Sequence, residues 1–111
     1  TDHDLEELGE RAQVRALGKT VYETNCAVCH RPDGGGLIGP NLTDSAWIHG
    51  GAPSSVRNTI STGVLSKVMP AWERILRPEQ VNAVTVYVLS LAGTNPPAPK
   101  APEGTVEPAR P

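Results

Sequence analysis

Asn25–Cys26–Ala27–Val28–Cys29–His30 is the stretch on which the reading of this 111-residue chain turns. Two thiols one helical turn apart, followed at once by an imidazole, form the attachment signature of a c-type haem. The spacing has a physical reason. The thiols reach the two vinyl groups along one haem edge as thioethers, and the next residue then presents His30 to one axial face of the iron. A thioredoxin-like redox pair would need a βαβ context, and no such pattern surrounds the motif. A zinc site would need further Cys or His ligands at short spacing, whereas the other histidines, His3 and His49, are distant in the chain.

Outward from the motif, a second axial ligand is sought, and Met69 is the only methionine. A lone methionine can be a core gap-filler. This one sits in Lys67–Val68–Met69–Pro70, away from any clear apolar helical face, and Pro70 stiffens the backbone beside it. A thioether sulfur stabilises ferrous iron, so the pair His30 and Met69 predicts a raised reduction potential. With both axial positions filled, binding of oxygen or peroxide is not expected.

Composition points the same way. The chain suits one domain, near the lower size limit for a self-sufficient core. It has no Phe, and Tyr22, Trp47, Trp72 and Tyr87 are its only aromatic residues. Eleven Gly and eleven Pro further break the pattern. A core so poor in large side chains needs a staple, and a buried porphyrin supplies the missing apolar volume. The net charge is −2 with no basic run, which excludes a nucleic-acid partner. No apolar stretch approaches the roughly 20 residues of a membrane span. There is also no signal peptide, so a mature or excised domain is expected.

The periodicity predicts an all-α chain. Residues 1–13 read as an acidic N-terminal extension, helical, carrying Asp2, Asp4, Glu6, Glu7 and Glu10 against Arg11 alone. Asp2 or Asp4 is the expected cap, and Gly18 the expected kink or break before the next segment. Val14, Leu17, Val21 and Tyr22 then make a stripe that leads into the cysteines. Residues 31–51 are rich in Gly, Pro, Asn and Asp and read as loop. Pro53 starts a short helix carrying Val56 and Ile60, with Gly63 near its end. Residues 81–91 fit a strand by alternation and a helix by one face. Length, with Pro78 as start and Gly93 as stop, decides for the helix. Residues 94–111, with six prolines, read as a frayed tail or a linker.

These stretches together resemble the class I cytochromes c over about residues 14–93. The resemblance is carried by Gly18–Lys19–Thr20–Val21–Tyr22 ahead of the cysteine motif, Gly39–Pro40–Asn41–Leu42, Met69–Pro70–Ala71–Trp72 and Tyr87–Val88–Leu89–Ser90–Leu91. It implies a class I fold of three to five helices wrapped around one haem c, held through Cys26 and Cys29 and ligated by His30 and Met69. It also implies that the Pro40 carbonyl accepts from His30 and so makes the ligating nitrogen a better donor. Gly18 would stand where the first and last helices cross closely, with Tyr87 packing there against Tyr22. Trp47 and Arg57 are candidates to hydrogen-bond the haem propionates, or else a packing residue and an ordinary solvent-facing one. His49 could ligate the iron in some state, bond a propionate, or be a loop histidine near the haem. His3 is expected in solvent.

Within that family, Asn41–Leu42–Thr43–Asp44 and Trp47–Ile48–His49–Gly50–Gly51 resemble the haem-c domains of the cytochrome c subunit of C-family haem–copper oxidases. Those subunits carry a membrane anchor and a second haem domain that this sequence does not display, so a relative is expected rather than an identical protein. The function implied is electron carriage, not catalysis: a periplasmic monomer passing single electrons between redox proteins by outer-sphere transfer. The alternatives are a haem domain excised from a larger oxidase or dehydrogenase subunit, and a ligand-binding enzyme or sensor whose methionine is labile. Electrons are expected to leave near Cys26, Cys29 and the Met69 loop, with Arg31 and Lys67 giving that rim positive character. Residues 2–10 could dock a basic partner, with solubility as the preferred explanation.

Overall fold

Thr1 caps the first helix, α1 (Asp2–Leu8), by accepting the Asp4 amide at 3.2 Å, while Asp4 reaches back to the terminal ammonium at 3.3 Å. The expected cap, Asp2 or Asp4, is therefore corrected to Thr1, with Asp4 as its reciprocal partner. The structure is a computed structural model that describes residues 1–67 and 69–106. Val68 and residues 107–111 of the Pro-rich tail lie outside them.

The chain turns at Gly9–Arg11, where the Glu10 and Arg11 amides bond the Glu7 and Leu8 carbonyls, and restarts as α2 (Ala12–Asn25). The break thus falls earlier than Gly18, which lies inside α2. The reason is packing. A Cβ at Gly18 would collide with the Ala83 carbonyl and lie 2.9 Å from the Cβ of Tyr87. The glycine lets two backbones touch and has no turn to make.

A single helical turn, α3 (Ala27–His30), follows α2 directly, with Cys26 between them. After a long loop, α4 (Pro53–Thr62) starts on its proline and stops at Gly63, whose φ of +75° no β-carbon residue adopts readily. Its cap, Ala52, has no side-chain acceptor. Asp2 serves instead, taking the Ser54 amide at 2.6 Å. The extension at residues 1–11 is thereby fastened to the body, with Leu5 buried beneath it.

Two 3₁₀ turns, Leu65–Lys67 and Trp72–Arg74, bracket Met69, and α5 (Pro78–Ser90) closes the bundle. The valine-rich run is helical, as its length predicts. Val81, Val84 and Val88 face the core, and Thr85, fully buried, returns its hydroxyl to the Val81 carbonyl at 2.7 Å. Helix α5 crosses α2, where Tyr22 and Tyr87 stack at a centroid distance of 5.2 Å. Val21, Leu42, Val56, Ile60 and Leu91 complete one core cluster. The fold is all-α, apart from a two-residue antiparallel pair that the sequence did not foreshadow: β1 (Ala46–Trp47) with β2 (Thr105–Val106). No helix among the described residues is long and apolar enough to cross a membrane.

Candidate haem site

The site is built on the junction between α2 and α3. Cys26 ends the first helix and begins the second, its carbonyl accepting the amides of both Cys29 and His30 at 3.1 Å. This turn sets the two sulfurs and the imidazole in sequence along one short element. Both cysteines are half-buried free thiols. Burial, with the neighbouring Cys29 charge second, pushes the Cys26 thiol up to about 11. Reactive disulfide-exchange pairs have depressed thiol values. Cys26 has the opposite environment, and the motif stands in a helical setting rather than a βαβ unit.

His30 is oriented from the loop that follows. Its Nδ1 lies 2.8 Å from the Pro40 carbonyl oxygen, as the resemblance implied. A carbonyl can only accept, so the ring proton sits on Nδ1 and the lone pair on Nε2 is left as a ligand. Burial holds the imidazole below its ordinary pKa. The Pro40 bond opposes that shift, and the Lys100 charge adds to it. The neutral ring is the form a metal needs.

Gly39 makes the approach possible: any β-carbon there would overlap the His30 ring. Its role had no sequence signal beyond its place before Pro40. The Tyr22 hydroxyl donates to the Arg31 carbonyl at 2.7 Å and so ties the residue after the histidine to the core.

Met69 is held by its backbone. It forms a bridge with Val64, whose amide bonds the Met69 carbonyl at 3.0 Å and whose carbonyl takes the Met69 amide at 3.1 Å. Gly63 permits this turn, since a side chain there would come within 2.6 Å of the Pro70 carbonyl. The Met69 side chain, with Cys26, Trp47 and Trp72, is half-buried against the core cluster. The donor set therefore fits a c-type haem: two thiols one turn apart, an imidazole with its free nitrogen defined, and a lone thioether on an apolar wall.

Trp47 lies in β1, packed on the core. The Arg57 Nε donates to the Asn82 side chain at 2.5 Å, and Arg57 lines a cleft of about 330 Å³ with Ser61, Glu73 and Val81. His49 is exposed. His3 is exposed too, 3.5 Å from Glu7. Arg31 is not the free rim cation expected of it. Its guanidinium pairs with Asp33 at 2.7 Å and bonds the carbonyls of Pro97 and Ala98. The Pro-rich segment is thus anchored through residues 97–106 and is no frayed end there. Lys67 remains exposed. Val28, Leu37 and Ile38, on the cysteine turn and the next loop, are large apolar side chains more than half exposed.

Comparison with known proteins agrees with this chemistry. A family model described as cytochrome c oxidase, cbb3-type, subunit III matches residues 13–88. The cbb3-type cytochrome c oxidase subunit CcoP of Rubrivivax gelatinosus is 40% identical over 89 residues, covering 79% of this chain and 29% of that protein. Subunit FixP of Bradyrhizobium diazoefficiens is 42% identical over 81 residues, 70% of this chain and 28% of that protein. CcoP of Cereibacter sphaeroides is 38% identical over 95 residues, 83% of this chain and 30% of its own length. The chain thus spans about three-tenths of the length of these relatives. No solved structure matches it.

Proposed function

The chain belongs to the family of cytochrome c oxidase, cbb3-type, subunit III, and from that premise we propose that it is the haem-bearing electron-relay domain of a larger oxidase subunit. Its cofactor is one c-type haem, covalently bound through Cys26 and Cys29. The free periplasmic carrier, the first expectation from sequence, gives way to the tethered domain because the relatives are oxidase subunits several times longer.

The observation that carries the chemical reading is the His30–Pro40 hydrogen bond. It leaves Nε2 of His30 to ligate the iron and raises that nitrogen's donor strength. Met69 would supply a thioether sulfur as the second ligand, a donor that favours ferrous iron. The haem, when bound, supplies a one-electron couple. His30 and Met69 would hold the iron, and the half-buried Trp47 and Trp72 beside Met69 would limit the access of water. Val28, Leu37 and Ile38 are large exposed apolar side chains on the attachment turn and the loop after it, beside the edge where the haem would be attached. Electrons pass there to and from redox partners, which for this domain include other parts of the oxidase. The domain works on the periplasmic side, where covalent haem attachment takes place.

Visible absorption of the ferric and ferrous protein, with and without carbon monoxide, tests the ligation. A low-spin spectrum with the weak red sulfur–iron band, indifferent to carbon monoxide, supports it. Ready carbon monoxide binding would show an open iron and turn the reading towards an enzyme or sensor. The tethered-domain reading is tested by haem staining of the natural gene product. A band much heavier than 11.7 kDa, found in membranes, is expected. A soluble band of that mass would restore the free carrier.

A further inference from the structure

We propose that Arg31 is a positioning residue for His30, acting by clamping the C-terminal segment 97–106 as a strap over the loop that carries Pro40. The proposal rests on the reading of His30 as an iron ligand and goes beyond it to what holds that ligand in place.

The loop from Arg31 to Leu42 has no regular secondary structure, yet its Pro40 carbonyl must stay within hydrogen-bond reach of His30. Its inner side is held by the cysteine turn. The Gly36 amide bonds the His30 carbonyl at 3.0 Å, and the Gly39 amide bonds the Cys29 carbonyl at 2.8 Å. The loop is held further by the Tyr22 hydroxyl at Arg31, by Leu42 in the core cluster, and by the strap. The Lys100 amide donates to Gly35 at 2.7 Å, Asn41 donates to the Lys100 carbonyl at 3.3 Å, and the Lys100 ammonium reaches the Ile38 carbonyl at 3.3 Å. The strap lies flush: a β-carbon at Gly36 would come within 2.7 Å of the Lys100 side chain.

Arg31 closes the arrangement. One guanidinium joins the carbonyls of Pro97 and Ala98, at 2.8 and 2.7 Å, to Asp33 at 2.7 Å. Both ends of this clamp adopt backbone conformations that non-glycine residues avoid, with φ of +70° at Arg31 and +47° at Ala98. Such strain persists only where the surrounding contacts impose it. Further along, the strap pairs as β2 with β1, so one segment braces both the Pro40 loop and the Trp47 strand. Because Arg31 directly follows the ligand, freeing the strap loosens the loop from a point one residue away.

The test uses the full reduced holoprotein and follows, by NMR, deuterium exchange of the His30 ring Nδ1–H. Two variants are compared with the unaltered protein. Arg31→Gln removes the clamp, and Lys100→Pro removes the strap-to-loop amide bond without touching Arg31 or the haem motif. Exchange at least about tenfold faster is expected in both, because local opening of the loop exposes the bond. A strap that only added stability would lower the melting temperature and leave the exchange rate unchanged. An exchange rate within about twofold of the unaltered protein in either variant overturns the proposal. If Arg31→Gln fails to fold around haem, Arg31→Lys, which keeps the charge but cannot bridge Asp33, Pro97 and Ala98 together, takes its place beside Lys100→Pro. Absence of ring-current-shifted imidazole signals from the unaltered reduced protein would overturn the ligand reading, and this proposal with it. That outcome is distinct, since failure of the strap alone leaves those signals in place.

Discussion

The imidazole of His30 has two nitrogens, and the Pro40 carbonyl selects between them by accepting the Nδ1–H hydrogen bond, with nitrogen and oxygen 2.8 Å apart. Both partners were readable from the residues, His30 from its place after Cys29 and Pro40 from the resemblance. Gly39 was not, because its importance is the absence of an atom where the ring passes. Met69 is held through its backbone by Val64, so Met69→Ala should leave the turn and the thioethers intact. It should open the sixth position, admit carbon monoxide and lower the potential by a sizeable part of the roughly 0.8 V that axial ligation spans. Redox titration with a carbon monoxide difference spectrum checks this, and an unmoved potential would mean that another side chain ligates the iron. Tyr22 makes a second single-atom contribution. Its buried hydroxyl satisfies the Arg31 carbonyl, so Tyr22→Phe should cost about 1–2 kcal/mol in denaturant unfolding.

At the scale of elements, the α2–α5 crossing depends on Gly18. Gly18→Val forces a branched side chain against the Ala83 backbone, which cannot rotate away as a flexible side chain would. A loss of at least about 3 kcal/mol is expected, read as a lower denaturant midpoint at unchanged slope. The turn at Asp33 gives the pH dependence. Its carboxylate accepts the Gly35 amide at 2.9 Å, which is the main reason its pKa lies below 3.8, with the Arg31 pair helping. A carboxyl group lowered on folding contributes stability in full above its unfolded value. That stability is lost as pH falls through the folded one. Asp33→Asn should therefore flatten the stability profile below about pH 4 and leave its shape near neutrality unchanged. Acid titrations of the two proteins, followed by circular dichroism, provide the check. The helices α4 and α5 were legible from Pro53, Gly63 and Pro78. The break between α1 and α2 was misplaced because a glycine in a helix signals a kink and a close contact equally well.

The whole molecule lacks the apolar bulk to stand alone. Among the described residues the largest fully buried side chains are Tyr22, Val81, Val84 and Thr85, and the sequence has no Phe. Cys26→Ala with Cys29→Ala, which prevents haem attachment, should leave a chain with no cooperative thermal transition. A sharp calorimetric peak in that haem-free variant would contradict the account. The attached haem is in this sense part of the core.

The attachment motif, the candidate ligands and the all-helical class are legible in the sequence, because haem attachment demands residue types at set spacings and helices declare themselves by period. The strap does not. Residues 94–106 carry prolines, small side chains and no periodicity, so nothing local marks them as ordered. Their order comes from backbone hydrogen bonds to Gly35 and Asn41, from the Arg31 guanidinium, and from a strand pairing with Ala46 and Trp47 far back in the chain. Arg57 and Arg31 show the same limit from the other side. A charge is visible in sequence, but whether it faces solvent, an amide or a carbonyl depends on which segments the fold brings beside it.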